Sequence, residues 1–243
     1  MMIATITYMM LAFGQAAPDQ PVNASAPPAT YVGKAFDLKS GAPVYTEVHT
    51  EIREGDKRVG VDTDYKDVDG KVIVRRTVSF RKHPTLAEFR TEDLRTGAIE
   101  GAEYLGEEVR LYYRDAGEEL YNEKRLDIPN PGAVDAGFNN FVQMNWDALR
   151  AGKKLYFNFA VPFRLDYFGF RVYQEDVVEK DGRTLVQVIC DIDNFVLRLF
   201  LKPIVLTYDA DVRRLVSYEG ISNIAGTEGT NYFVRIEYDP YGP

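Results

Sequence analysis

Cysteine is all but missing from this 243-residue chain: Cys190 stands alone, so no disulfide can form within one copy. Histidine is nearly as scarce. A His-based metal site or a Ser-His-Asp arrangement would have to use His49 or His83, and neither lies in a supporting motif. Basic residues are outnumbered, 29 Lys and Arg against 37 Asp and Glu, for a net charge of −8. That balance argues against a nucleic-acid partner, which needs a basic stripe, and against electrostatic docking of the whole molecule on anionic lipid. The apolar N-terminal run is shorter than the roughly 20 residues needed to cross a bilayer.

What is present at the N-terminus is a stretch without charge before Asp19, apolar from Met1 to about Phe13, with small residues at Ala12, Gly14 and Ala16. This pattern predicts a signal peptide over 1–16 cleaved near residues 14–17, although no Lys or Arg supplies the usual positive n-region. No cysteine stands near the cleavage region to carry a lipid. The mature protein is therefore expected to be periplasmic or secreted and without an integral membrane span. A chain this poor in disulfides fits a bacterial periplasm better than a eukaryotic exterior. Residues 17–30 are Pro/Ala-rich and predict a disordered linker, leaving 31–243 as a single β-rich domain.

Aromatics are abundant, with 16 Tyr and 14 Phe against one Trp, and such residues fit the half-buried surface of a pleated strand. Val44, Thr46, Val48, Thr50 and Ile52 alternate with Tyr45, Glu47, His49, Glu51 and Arg53, the period-two pattern of a half-buried strand. Asp69-Gly70 is a hairpin signal. Turning there sets Tyr65 against Val74, Val61 against Val78 and Val59 against Phe80, with Asp64 opposite Arg75. Asp181-Gly182 repeats the device and predicts Val177 beside Val186, Glu175 beside Val188 and Tyr173 beside Cys190. Further hairpins are expected around Asp209–Arg213 and Ala225–Thr230, with a last strand near Tyr232–Tyr238.

One segment predicts a helix: residues 135–150, with Asp135 as N-cap, Gly152 beyond its end, and Phe138, Phe141, Val142 and Leu149 on one stripe beside Trp146. Residues 195–202 suit a short helix or a two-sided buried strand, and Pro203 ends either.

The densest aromatic cluster is Leu155–Tyr173. Leu155, Phe157, Phe159 and Val161 share one face of a strand. In the next strand Phe168, Phe170 and Val172 oppose Leu165, Tyr167 and Tyr173, so that strand is apolar on both faces. A helix of about 15 residues spans only some 22 Å and cannot cover the roughly ten strands expected. The sheet must fold into a sandwich or curl around the helix. The resulting fold is mostly β: a large curved antiparallel sheet or open half-barrel, with one principal helix packed on or inside it.

Other signals are structural. The acidic run Asp62 to Gly70 lacks the spacing and terminal Glu of a calcium loop, and the hairpin accounts for it. Cys190 reads as a small core residue. Nothing singles out a carboxylate pair for glycoside chemistry. No catalytic residue, cofactor or metal site is expected, and the chain reads as a non-enzyme.

The order of parts resembles bacterial periplasmic lipoprotein-carrier (Lol-type) proteins and related uncharacterised exported domains. The residues behind this are the exported N-terminus, the aromatic strands Leu155–Tyr173, and Pro203–Asp209 followed by Arg214–Glu219 as a closing hairpin. The likeness is one of layout, with no specific motif. It implies a curved, incompletely closed sheet capped by helix and holding acyl chains. The expected function is thus binding or carriage of a hydrophobic, lipid-like ligand. Its sheet lining would be Phe157, Phe159, Phe168 and Phe170, and its lid Phe138, Phe141 and Trp146. The alternative is an envelope protein-protein interaction module with a filled core.

Overall fold

The computed structural model describes residues 30–199, 201–226 and 230–239. The expected leader and all of the expected linker but Thr30 lie outside these residues. The chain is mostly β, and among the described residues the strands form a single curved sheet of 15 that does not close edge to edge. Its first half is a meander: β1 (Thr30–Asp37), β2 (Pro43–Glu54), β3 (Lys57–Lys66), β4 (Val72–Ser79), β5 (Glu88–Asp93), β6 (Ile99–Tyr104), β7 (Val109–Arg114) and β8 (Asn122–Leu126). A short strand, β9 (Gly132–Val134), then leads into helices α1 (Gly137–Met144) and α2 (Trp146–Arg150). The second half holds β10 (Leu155–Val161), β11 (Asp166–Lys180), β12 (Arg183–Ile192), helix α3 (Phe195–Arg198), β13 (Ile204–Asp209), β14 (Arg214–Ala225) and β15 (Asn231–Tyr238). Pairing of β1 with β15 joins the two meanders, so β8 and β9 become the two edges. The count exceeds the ten strands expected because five short strands occupy residues 88–134, where the alternation is weak.

The Asp69-Gly70 hairpin has the expected register: Tyr65 faces Val74, Val61 faces Val78, and Asp64 lies opposite Arg75. The second hairpin departs from expectation. Val177 does face Val186, but the register shifts between Gln174 and Asp176, so Val188 faces Gln174 and Cys190 faces Val172. The extra residue, Glu175, is a β-bulge, and such an insertion slips every later pair by one.

The 135–150 helix is corrected in two respects. It is broken at Asn145 into α1 and α2, and Asp135 is not its cap. Asp135 takes a left-handed backbone (φ 49°) and spends its carboxylate on Arg76, while Ala136 occupies the cap position without a side-chain bond. Residues 195–202 begin as the short helix α3, whose first N–H groups are capped by Asn194 Oδ1 at 3.0 Å.

The sheet curls until its β9 edge meets the segment entering β5. Val134 N donates to Thr85 O at 2.9 Å, and Leu86 and Val134 form an isolated parallel bridge. Strands β6 and β7 continue past this seam and overlap the second half. Ala102, Val109 and Leu111 pack with Ala160, Leu165 and Tyr167, on the outer side of β10–β11. On the inner side Phe141, Val142, Trp146 and Leu149 of the helices pack with Phe157, Val172, Val186, Val188, Cys190, Leu206 and Tyr208. The strand with apolar residues on both faces, β11, is thus covered with β10 outside by the sheet itself and inside by α1–α2.

Seating α1 this deeply demands a residue without a side chain at its start. A Cβ on Gly137 would lie 1.9 Å from Thr85 O and 2.6 Å from its carbonyl carbon. Gly137→Ala is expected to destabilise the fold by about 2–3 kcal/mol, an overpacking cost against backbone that cannot yield. A urea titration reads this as a lowered midpoint at unchanged slope; an unchanged midpoint would contradict the seating of α1 against the β5 entry.

Candidate functional site

The aromatic residues singled out by sequence converge on the inner face of the second half. Antiparallel pairing sets Phe157 opposite Phe170, Phe159 opposite Phe168 and Leu155 opposite Val172, so these side chains share one face. Phe138 of α1 stacks on Phe157, with ring centroids 5.2 Å apart and planes 15° from parallel. Phe141 approaches Phe157 to 5.0 Å, and Phe159 and Phe170 meet edge-on at 5.6 Å. Trp146 lies one layer away against Tyr208 at 5.6 Å. Phe141, Trp146 and Phe157 are buried, whereas Phe138, Phe159, Phe168 and Phe170 are only half-buried. Phe168 lies at the end of the wall, outside the packed cluster.

That end of the wall adjoins α3. Asp193 N donates to Gly169 O at 2.7 Å, so the chain leaving β12 passes directly beside Phe168 before turning into the helix. The segment that follows, from Phe195 to Leu199, is apolar apart from Arg198. Two surface grooves lie elsewhere. One of about 600 Å³ is lined by residues that include Leu38, Lys202, Tyr232 and Phe233; one of about 470 Å³ lies at the β6–β7 turn by Leu105 and Asp127.

The first half of the sheet holds a polar interior that the sequence pattern did not reveal. Tyr45, Glu47 and Glu51 of β2 are buried, while Val44, Val48 and Ile52 on the opposite face are only half-buried. Glu47 Oε2 accepts from His49 Nε2 at 2.8 Å and from the Tyr238 hydroxyl at 3.2 Å. His49 Nδ1 lies 2.9 Å from Thr63 Oγ1, and Tyr31 stacks on the imidazole at 4.5 Å. This Glu-His-Thr chain has the connectivity of a hydrolytic relay, but Thr63 is only 4% exposed and lines neither groove. It serves to tie β2, β3 and β15 together. Burial pushes Tyr31 up to about 12 and Tyr238 upward as well, so both stay neutral hydroxyls.

Across the same sheet, pairing runs His49 to Thr63, Thr63 to Arg76, Arg76 to Thr91 and Thr91 to Glu100. Arg76 forms a buried ion pair with Asp135 and donates to Tyr65 Oη at 3.1 Å. Burial is the largest single influence and works against the Arg76 charge, but the Asp135 carboxylate and the Tyr65 oxygen together outweigh it and hold the guanidinium firmly protonated. The N-terminal end of the helix pair is thus fastened to β4 by charge. Further along, Arg58 Nη2 donates to Asn140 Oδ1 at 2.7 Å, and Tyr208 Oη donates to Asn139 Oδ1 at 2.8 Å, bridging α1 to both halves.

Both scarce residue types have structural partners or buried positions. His83 Nδ1 accepts from Leu86 N at 2.9 Å and from Thr85 N at 3.2 Å, closing a loop. Cys190 is buried and its thiol is pushed well up by desolvation, which removes the thiolate a nucleophile needs. Among the described residues no group of three or more His, Cys, Asp or Glu is placed to hold a metal ion, and no helix is long and apolar enough to cross a membrane.

These features define a β-barrel-like protein with an incompletely closed sheet. No family model and no curated protein matches the chain. Among solved structures it is similar to the β-barrel-like protein of domain of unknown function DUF1849 from Brucella abortus, with a TM-score of 0.51 and 10% identity. The match covers 89% of this chain and 100% of that one. The likeness is one of fold.

Glu100 gives the polar interior a measurable signature. Burial first, then the Asp135 carboxylate, push its pKa from the ordinary 4.5 to about 7, with Arg76 opposing. Glu100 therefore stays protonated in the folded chain at pH values where the unfolded chain has ionised. Its stabilising contribution is complete below about pH 4.5 and is lost as pH rises through about 7. Unfolding free energy measured across this window should decline less in Glu100→Gln than in the parent; identical profiles would contradict the buried placement.

Proposed function

We propose that the protein is an exported, non-enzymatic binding or carrier protein for a hydrophobic, lipid-like ligand. The ligand would lie against the aromatic wall of β10 and β11, under α1. The observation that carries this reading is that Phe138, Phe159, Phe168 and Phe170 are only half-buried, with Phe168 outside the packed cluster at the end of the wall nearest α3, while Phe141 and Phe157 behind them are buried. Large apolar side chains left partly uncovered at a concave sheet face are what an acyl chain would complete. The polar first half, with its ion pairs satisfied inside the protein, would hold the curl rigid around that face.

The second reading is an envelope interaction module with a filled interior. It is favoured by the ring-to-ring contacts at 5.0–6.3 Å among Phe138, Phe141, Phe157, Phe159 and Phe170, which leave the deep part of the wall self-filled. Native mass spectrometry with lipid extraction of periplasmic protein separates the two. The carrier reading predicts co-purified lipid or uptake of a fluorescent fatty acid. It also predicts that Phe159→Gln with Phe168→Gln weakens uptake by about ten-fold or more, since polar groups would then line the apolar contact. Protein that is ligand-free as isolated and takes up no probe would contradict it; a single stable protein partner in a pull-down would then support the module.

A further inference from the structure

The segment after β12 is unusual in what it shows to solvent. Phe195 is 73% exposed, Val196 60%, Leu199 69% and Leu201 51%. Phe195 and Val196 open a four-residue helix and Leu199 follows on the Phe195 side of its axis, while Leu197, 41% exposed, lies on the opposite side, so apolar side chains are exposed on both sides of the turn. A helix that fits a protein groove presents anchors at i, i+3, i+4 and i+7 along one face. A short apolar turn exposed on several sides has no such face, and suits a medium that contacts it from all around. Fluid lipid does so.

Charge points the same way. From Phe195 to Tyr208 the chain has no acidic residue and two cations, Arg198 and Lys202, in a protein that carries net −8. Lys202 Nζ sits over the Phe233 ring at 5.3 Å, and one guanidinium nitrogen of Arg198, Nη1, is buried with no hydrogen-bond partner. The patch continues onto the outer face of the sheet. Ile221 and Phe233 are cross-strand partners and both are exposed, and Leu38 N donates to Phe233 O at 2.9 Å, placing a third exposed apolar residue beside them.

We infer that the α3 turn is a membrane-docking wedge, which inserts Phe195, Val196 and Leu199 among the acyl chains of a phospholipid surface with Lys202 at the headgroup level. The acidic balance of the whole chain opposes adsorption of the molecule broadside, so the wedge fixes which end approaches the bilayer. The inference concerns the outside of the fold and holds with or without a ligand at the aromatic wall.

Flotation of the purified protein with phosphatidylcholine vesicles, alone or mixed with phosphatidylglycerol, tests it. The protein should float with both and more strongly with the anionic mixture. Phe195→Ser combined with Leu199→Ser should lower partition about ten-fold or more at an unchanged urea midpoint, because both side chains are already solvated. Lys202→Glu should remove only the preference for phosphatidylglycerol. As an independent readout, Phe195→Trp should be quenched by brominated lipid, whereas the buried Trp146 of the parent should not. A parent protein that does not float, or a double variant that floats as well as the parent, would overturn the inference. So would self-association abolished by the same double variant in a protein that ignores vesicles, which would make the turn a contact between copies.

Discussion

A strand with large apolar side chains on both faces must be covered twice, and the architecture follows from how β11, with β10 beside it, meets that demand. The inner face takes the helices: Phe138 and Phe141 lie on Phe157, and Trp146 and Leu149 fill the space toward Tyr208 and Val172. The outer face takes the sheet's own far end, as Ala102, Val109 and Leu111 reach Ala160, Leu165 and Tyr167. The second coverage is possible only if a 15-stranded sheet bends through enough of a turn to overlap itself. The contact of Val134 with Thr85 and Leu86 marks where the overlap begins. Burial of side chains of this size contributes about 1.5–3 kcal/mol each, which is why the curl outweighs a flatter sheet with a wet aromatic face.

The polar interior of the first half is the complement of this arrangement. Curling turns the concave faces of β2 to β6 inward whatever they carry, and they carry Glu47, Glu51, His49, Arg76 and Glu100. Removing such groups from water is unfavourable unless each finds a partner. Glu47 with His49 and Tyr238, and Arg76 with Asp135 and Tyr65, are the partners found. The Arg76–Asp135 pair also couples the two halves, since Asp135 precedes α1. The same charge that satisfies the polar half therefore holds the helices over the aromatic half.

The sequence made the aromatic wall legible because Phe157, Phe159, Phe168 and Phe170 obey a period of two and the turn between the strands is short. It made the first hairpin legible because Asp69-Gly70 fixes a register that segregates the large apolar residues. The slip at Glu175 was not legible: a bulge changes no residue type and is decided by the strand twist around it. Nor was the inward face of β2: alternation alone favours the apolar Val44/Val48/Ile52 face, and only the curl turns Tyr45/Glu47/Glu51 inward instead. Asp135 looked like a cap because local spacing cannot see Arg76, 59 residues earlier in the chain. The overlap of β6–β7 on β10–β11 is a relation between distant segments that no local periodicity encodes.

A hydrophobic ligand docked, as proposed, at the α3 end of the aromatic wall would leave a footprint in backbone exchange. Hydrogen–deuterium exchange with and without a saturating long-chain fatty acid tests it most directly. Added protection is expected in α1, β10, β11 and the segment around α3 alone, with exchange in β3 to β6 unchanged. Protection spread over the polar half, or no difference anywhere at saturating fatty acid, would contradict it.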